Sequence, residues 1–275
     1  MKKILCPVDF SQSSQNAIAY AAKLSKATGS MLTLLNIQPS NPSAINAEKS
    51  ELLEGIKKRL EELGRDVQQF FKISCLTEVV LSGSLLSEAI AQQASGFSMI
   101  VMGTHGVESI IEFLKGSNTY HAIRKTSIPL ILIPTDCIYS EIKSVVYAYD
   151  YLAERNLPLK QLLPWIKSLQ CSLTVLQVNE EGVSQDVDEE MRELQFIITE
   201  KWKDEIIDVH FESIRSTEIA PSINSYILRS GGDILALCTH HRNFAQQMFH
   251  TSITKVISEI ASYPVLVFHP DDENS

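Results

Sequence analysis

The chain has 275 residues and a mass of 30.7 kDa, which at roughly 100–200 residues per domain implies two domains. Hydrophobic residues make up 44% and charged residues 21%, an ordinary globular balance that excludes disordered, collagen-like and disulfide-scaffold classes. With 24 Lys+Arg against 33 Asp+Glu the net charge is −9, and the most basic segment, Lys57-Lys58-Arg59, is followed at once by Glu61 and Glu62, so no nucleic-acid partner is expected.

The N-terminus has a basic start, but Asp9 arrives too early for the apolar core of a signal peptide. Ile4–Val8 is a continuous apolar run, the pattern of a strand buried on both faces of a parallel sheet. Ser11 and Ser13 can cap a helix whose core face is Ala17, Ile18, Ala21 and Leu24, with Gly29 at its C-terminal cap. Leu32–Ile37 is a second strand, followed by a polar loop over Pro39-Ser40-Asn41-Pro42-Ser43. Leu52, Leu53, Ile56, Leu60, Leu63, Val67 and Phe70 then recur at helical spacing. Gly55 and Gly64 lie inside that helix and each costs up to ~1 kcal/mol relative to Ala, so its outer turns are expected to fray. Leu76–Leu81 is a strand, Leu86–Ala94 a helix, Met99–Met102 a strand, Asn118–Lys125 a helix and Leu130–Ile133 a strand.

The second half repeats the first. Val145–Tyr151 matches Ile4–Phe10, each an apolar run ending in Asp and an aromatic. Leu173–Val178 matches Leu32–Ile37, and Ile234–His241 matches Met99–Gly106. Tyr263-Pro264 and its apolar run match Ile128-Pro129 and theirs. Four matched segments in one order mean a tandem duplication, with a boundary near Asp136 to Glu141. The expected domains are therefore 1–137 and 141–275. The second-half strands are Ser144–Tyr149, Leu173–Val178, Ile207–Ser213, Ile234–Cys238 and Val265–Phe268. A helix is expected over Val187–Trp202, with Met191, Leu194 and Ile198 on one face. The segment Leu152–Pro164 carries Pro158 and Pro164, so its helix must start late or be broken. Apolar strands alternating with helices give an α/β fold with a mostly parallel sheet.

No apolar run approaches the roughly 18–20 residues needed to span a bilayer. The five cysteines form no metal-ligand spacing and read as reduced buried thiols of a cytoplasmic chain.

The sharpest signal is Gly103-Thr104-His105-Gly106, nine residues from Val107 to Lys115, then Gly116-Ser117. Two close glycines after a parallel strand let the backbone turn and present N–H groups to an anion, and Gly116-Ser117 opens a helix whose N-terminus favours phosphate. A single glycine here would be an ordinary turn. Three at this spacing, between strand and helix, point to binding.

These residues resemble the nucleotide-binding form of the universal stress protein family, whose G-x2-G-x9-G-[ST] is matched at Gly103, Gly106, Gly116 and Ser117. The opening Lys3–Ser11 is similar to the family's first strand and turn. The resemblance covers both halves and implies two tandem doubly wound domains, each a five-stranded parallel sheet in the order 3-2-1-4-5 with helices on both faces. It implies that ATP, with Mg²⁺, is held by Asp9 at the ribose or adenine side and by backbone groups of Ile37. Pro7, Val8 and Met102 belong to the same implied contact set. Gly103, Gly106, Gly116 and Ser117 would hold the phosphates, with Thr119 as a further hydroxyl donor. Asn118 stands where the family often has a small apolar residue. Independently, ligands of open α/β sheets bind beyond the strand ends where strand order reverses, which selects Asp9 and Gly103.

Asp9 is equally readable as a helix N-terminal residue stabilised by the dipole, and the two roles are compatible. Lys115 could reach a phosphate or stay solvated. His105 lacks a carboxylate placed to orient it, so no catalytic residue is assigned. In the second half the glycine positions hold Cys238, His241 and Thr251, with Ser252 alone retained, so this half is expected to bind no ATP. His240-His241 with Cys238 lacks metal-ligand spacing, and Ser230-Gly231-Gly232-Asp233 precedes a strand where a phosphate loop should follow one.

The leading expectation is a regulatory stress-response protein with one ATP in its first half, acting on a signalling partner that the sequence does not identify. At millimolar ATP and micromolar Kd, binding would add roughly 4 kcal/mol of stability. The alternatives are a weak ATPase and a ligand-free interaction module. By resemblance, Ile131–Ile133 and Leu266–Phe268 could pair within the chain, with a homodimer left open.

Overall fold

A computed structural model describes residues 2–39, 47–84, 86–103, 128–149, 159–179, 192, 194–196, 198–200, 208–238 and 263–268. The chain divides into two compact units, Met1–Tyr139 and Ser140–Ser275.

The first unit holds strands β1 (Lys3–Pro7), β2 (Met31–Pro39), β3 (Cys75–Ser82), β4 (Met99–Gly103) and β5 (Leu130–Ile133), with helices α1 (Gln12–Thr28), α2 (Ala47–Phe71) and α3 (Leu86–Gln93). Its strands lie in the order β3-β2-β1-β4-β5, and every pair is parallel. Ile4, Leu5, Leu34, Ile100 and Val101 on the central strands are buried, as double-faced burial requires. Helix α1 is capped at Ser11, whose side chain accepts from Ser14 N, and ends at Gly29 with φ of 63°. All four expected core residues of α1 are buried.

Helix α2 runs unbroken through both of its glycines. Gly64 has a packing reason: a Cβ there would come within 2.5 Å of Thr77 Cγ2 on β3. Of the apolar stripe, Leu60 and Val67 are buried, but Leu52 and Phe70 are 62% and 79% exposed. Position around the helix explains this: the adjacent Leu53 and Phe71, at the same two ends, are half-buried, so Leu52 and Phe70 fall just off the packed face.

Past β5 the chain is tied to α1 by side chains one and two turns apart. Asn16 Nδ2 donates to the Thr135 carbonyl. The Tyr20 hydroxyl lies 3.2 Å from Cys137 Sγ and donates to the Ile138 carbonyl at 3.4 Å. The Tyr20 and Tyr139 rings meet edge-on at 4.7 Å, and Lys23 Nζ lies 4.1 Å above the Tyr139 ring.

The second unit holds β6 (Ser144–Tyr149), β7 (Ser172–Asn179), β8 (Val209–Arg215), β9 (Ile234–Cys238) and β10 (Val265–Phe268), with α4 (Leu159–Leu169) and α5 (Ile219–Ser230). Its strands lie in the order β10-β9-β6-β7-β8, again all parallel. Helix α4 carries Pro164 inside it, so no break occurs at Pro164; residues 152–158 lie outside the described residues. Residues 194–196 and 198–200 are helical, with Leu194 and Ile198 buried as expected. Helix α5 is an element the sequence reading missed. Its signal was present in Ala220, Ile223 and Ile227, all buried. Pro221 falls in its first turn, where a missing N–H is cheap.

The helix expected at 118–125, the loop residues 40–43, and Ile207 and Met191 lie outside the described residues.

Candidate functional site

The site is built where the strand order of the first unit reverses. From β1 the chain crosses to β2 on one side, and β4 lies on the other. The register pairs Ile4 with Met99 and Leu5 with Ile100. Carried forward, it sets Val8 level with Gly103. Pro7, Val8, Asp9, Met102 and Gly103 therefore gather at neighbouring C-terminal strand ends. Ile37 lies on β2, on the far side of β1, paired with Val80 of β3.

The turn from β1 into α1 is held at both ends. Val8 N donates to the Leu35 carbonyl at 2.8 Å, continuing the ladder. The Val8 carbonyl accepts from Asn36 Nδ2 at 2.7 Å, and Asn36 Oδ1 accepts from Gln38 Nε2 at 2.7 Å. At the other end, Asp9 Oδ1 accepts from Ser11 N at 3.0 Å and from Ser11 Oγ at 2.5 Å. Ser11 Oγ in turn accepts from Ser14 N at 3.2 Å. Asp9 is thus an exposed carboxylate oriented by the residue that caps α1. This matches the helix-terminal role and leaves the binding role compatible with it.

Between these anchors Phe10 has φ of 64°. The left-handed region costs a residue with a Cβ roughly 1–2 kcal/mol. The Phe10 ring lies under the Arg59 guanidinium, 4.2 Å from its carbon to the ring centre.

Gly103 closes the site from the β4 side. A Cβ on it would fall onto the Ser13 carbonyl and 2.9 Å from Ser14 N. Those are backbone atoms of the first turn of α1, which cannot swing aside. Only glycine lets β4 end this close to the helix N-terminus, whose amides and dipole favour an anion.

The same row of the second unit is filled. Val8, Gly103, Asn36 and Ile133 correspond in register to Tyr149, Cys238, Gln177 and Phe268, every one a larger side chain. Cys238 and Phe268 have no exposed surface, and Phe268 packs 5.5 Å from Tyr147. The Gly231-Gly232-Asp233 segment is structural. Gly231 caps α5 at φ of 72°, a Cβ on Gly232 would lie 2.8 Å from Val146 Cγ2, and Asp233 Oδ2 accepts from Lys143 N at 2.8 Å and Ser144 N at 3.0 Å.

Among the described residues no group of three His, Cys, Asp or Glu side chains could hold a metal ion. Burial pushes the Cys75 and Cys171 thiols up to about 11 and raises Cys6 as well, so none is an activated nucleophile. Among the described residues no helix is long and apolar enough to cross a membrane. Gly106, Gly116, Ser117, Asn118, Thr119, His105, Lys115, Asp150 and the pair His240-His241 lie outside the described residues. The sequence reading missed Asn36 and Arg59. Asn36 was visible as one amide inside the apolar run Leu32–Ile37. Arg59 carried no signal beyond its charge.

Residues 1–134 match the family model described as the universal stress protein family. A universal stress protein of Methanocaldococcus jannaschii is 28% identical over 160 residues, covering 48% of this chain and 94% of the relative. A universal stress protein of Archaeoglobus fulgidus has the same fold, with a TM-score of 0.73 at 18% identity over 99% of this chain and 97% of that one. A universal stress protein structure from Pseudomonas aeruginosa gives 0.61 at 17% identity, covering 99% and 94%.

Proposed function

We propose that residues 1–134, which match the universal stress protein family model, form a domain that binds one ATP, with Mg²⁺, beyond the ends of β1 and β4. In this reading the protein is a regulator, not a committed enzyme. Residues 141–275 are a degenerate second copy of the fold that binds no nucleotide and serves as a structural partner.

One observation carries the proposal: the juxtaposition, at the point where strand order reverses, of an oriented carboxylate and a glycine pressed against a helix N-terminus. Asp9 is fixed by Ser11, and Gly103 admits no side chain. A crevice of this kind accepts a nucleotide end-on, with a carboxylate for the sugar or base and backbone amides for the phosphates. Gly106, Gly116, Ser117 and Thr119 complete the phosphate contacts on the strength of their spacing. Mg²⁺ would neutralise the phosphates, to which it binds with few protein carboxylates. For the second unit, the row Gln177, Tyr149, Cys238 and Phe268 supports the loss of binding, because a buried Cys238 stands where the first unit has Gly103 and a half-buried Tyr149 where it has Val8.

Isothermal titration with ATP and Mg²⁺ tests the reading. The expected result is saturation at a single site per chain. Saturation at two sites would contradict the role given to the second unit, and a flat titration would contradict the nucleotide reading itself.

A further inference from the structure

The turn that presents Asp9 is held by a third element. We propose that Arg59 of α2 is a positioning residue for the nucleotide, stacking on Phe10 so that the Asp9 carboxylate meets the nucleoside end of the ligand. The proposal rests on the nucleotide reading above and adds a residue outside the glycine motif and the strand ends.

Four residues make the turn, Val8 to Ser11. Val8 is fixed to β2 through both its amide and its carbonyl, and Ser11 is fixed to α1 as its cap. Asp9 and Phe10 span the gap, and Phe10 does so in the left-handed region, at φ of 64°. Glycine or asparagine would adopt that conformation at less cost. A phenylalanine there is costly unless its ring is used, and the ring lies beneath the Arg59 guanidinium at 4.2 Å. A planar guanidinium stacks on an aromatic face in a way an ammonium does not reproduce. Arg59 is itself well placed. Its neighbour Leu60 is fully buried, which fixes the rotation of α2 and sets the base of the Arg59 side chain. Of the basic run Lys57-Lys58-Arg59, only the third residue has this ring contact among the described residues. The stack therefore ties α2 to the residue that follows Asp9, and the Asp9–Ser11 bonds complete the alignment.

The test uses the full chain and the variants Arg59→Ala, Arg59→Lys and Phe10→Gly. ATP affinity with Mg²⁺ is measured by titration, and the thermal midpoint is measured without nucleotide. Arg59→Ala should weaken ATP roughly two- to fivefold, the range of an exposed cation–π contact, with only a small drop in the ligand-free midpoint, since the contact is also made without nucleotide. Arg59→Lys should recover part of the loss. Phe10→Gly should weaken ATP while holding or raising the ligand-free midpoint, because glycine accepts the left-handed turn. Loss of midpoint and affinity together in Phe10→Gly would mark a merely structural contact and overturn the proposal. Unchanged ATP affinity in Arg59→Ala would overturn it alone, whereas failure of the unsubstituted chain to bind ATP would overturn the nucleotide reading as well.

Discussion

Asn36 Nδ2 donates to the Val8 carbonyl at 2.7 Å from inside an otherwise apolar strand. The bond fixes the last residue before Asp9, and the Asn36 side chain is 2% exposed. Its counterpart in the second unit, Gln177, is 3% exposed, and its Oε1 finds no hydrogen-bond partner among the described residues. The two amides should respond oppositely to apolar replacement. Asn36→Leu is expected to cost about 1–3 kcal/mol, since it strands a buried carbonyl, whereas Gln177→Met should be neutral or stabilising. Urea midpoints at unchanged slope measure both. Equal losses would contradict the assignment.

The two glycines of α2 should also separate. Gly55 is exposed, with nothing within 4 Å of an added Cβ, so Gly55→Ala is expected to gain about 0.5–1 kcal/mol. At Gly64 the added Cβ meets Thr77 Cγ2 at 2.5 Å. That crowding should cancel the propensity gain or reverse it. Chemical denaturation of the two variants side by side checks the difference, and an equal gain at both would refute the close approach.

The buried thiols give the protein an alkaline limit. Burial holds Cys75 and Cys171 neutral up to about 11, while an unfolded thiol ionises near 8.5. A group whose folded value is raised contributes stability below its unfolded value and loses it as pH rises toward the folded one. Stability should therefore fall between about pH 8.5 and 11, by at most about 1.4 kcal/mol per unit for each thiol. Thermal midpoints across that window should decline less steeply in Cys75→Ala than in the unsubstituted chain. Identical slopes would refute the assignment of this loss to Cys75.

Much of the fold was legible because burial leaves a direct imprint on sequence. Ser144–Tyr149, Ile234–Cys238 and Val265–Phe268 were placed from their apolar runs and their match to the first half, and the strands lie there. Ser11 and Gly29 marked the ends of α1 because capping depends on side chains next to each other in sequence. Failures came where tertiary geometry decides. The spacing of Leu52 and Phe70 does not say which side of the helix meets the sheet, and the adjacent Leu53 and Phe71 are the half-buried ones. Gly64 looks like a defect until Thr77 is brought beside it. Helix α5 was overlooked, although Ala220, Ile223 and Ile227 lie at helical spacing, and the Gly231-Gly232-Asp233 that follows caps it, admits Val146 and tethers β6. In the candidate site, Asp9 and Gly103 were singled out by motif and topology, and the register brings the β1 and β4 ends that carry them side by side. Asn36 and Arg59 act through contacts across 28 residues and across two elements, and local pattern does not encode such distances.

Gly103 offers a stability test within the site itself. Gly103→Ala would push a methyl group into the backbone of Ser13 and Ser14, so a loss of roughly 1–3 kcal/mol is expected. A denaturation midpoint equal to that of the unsubstituted chain would contradict the packing of β4 against α1.

The central claim, a single nucleotide in the first unit, is tested most directly by nucleotide content. The untagged chain is purified in Mg²⁺ and denatured, and the released nucleotides are quantified by ion-exchange chromatography, with Gly116→Val as the control. The account predicts one ATP per chain, lost in the control. No released nucleotide, together with a flat ATP titration of the same preparation, would contradict it.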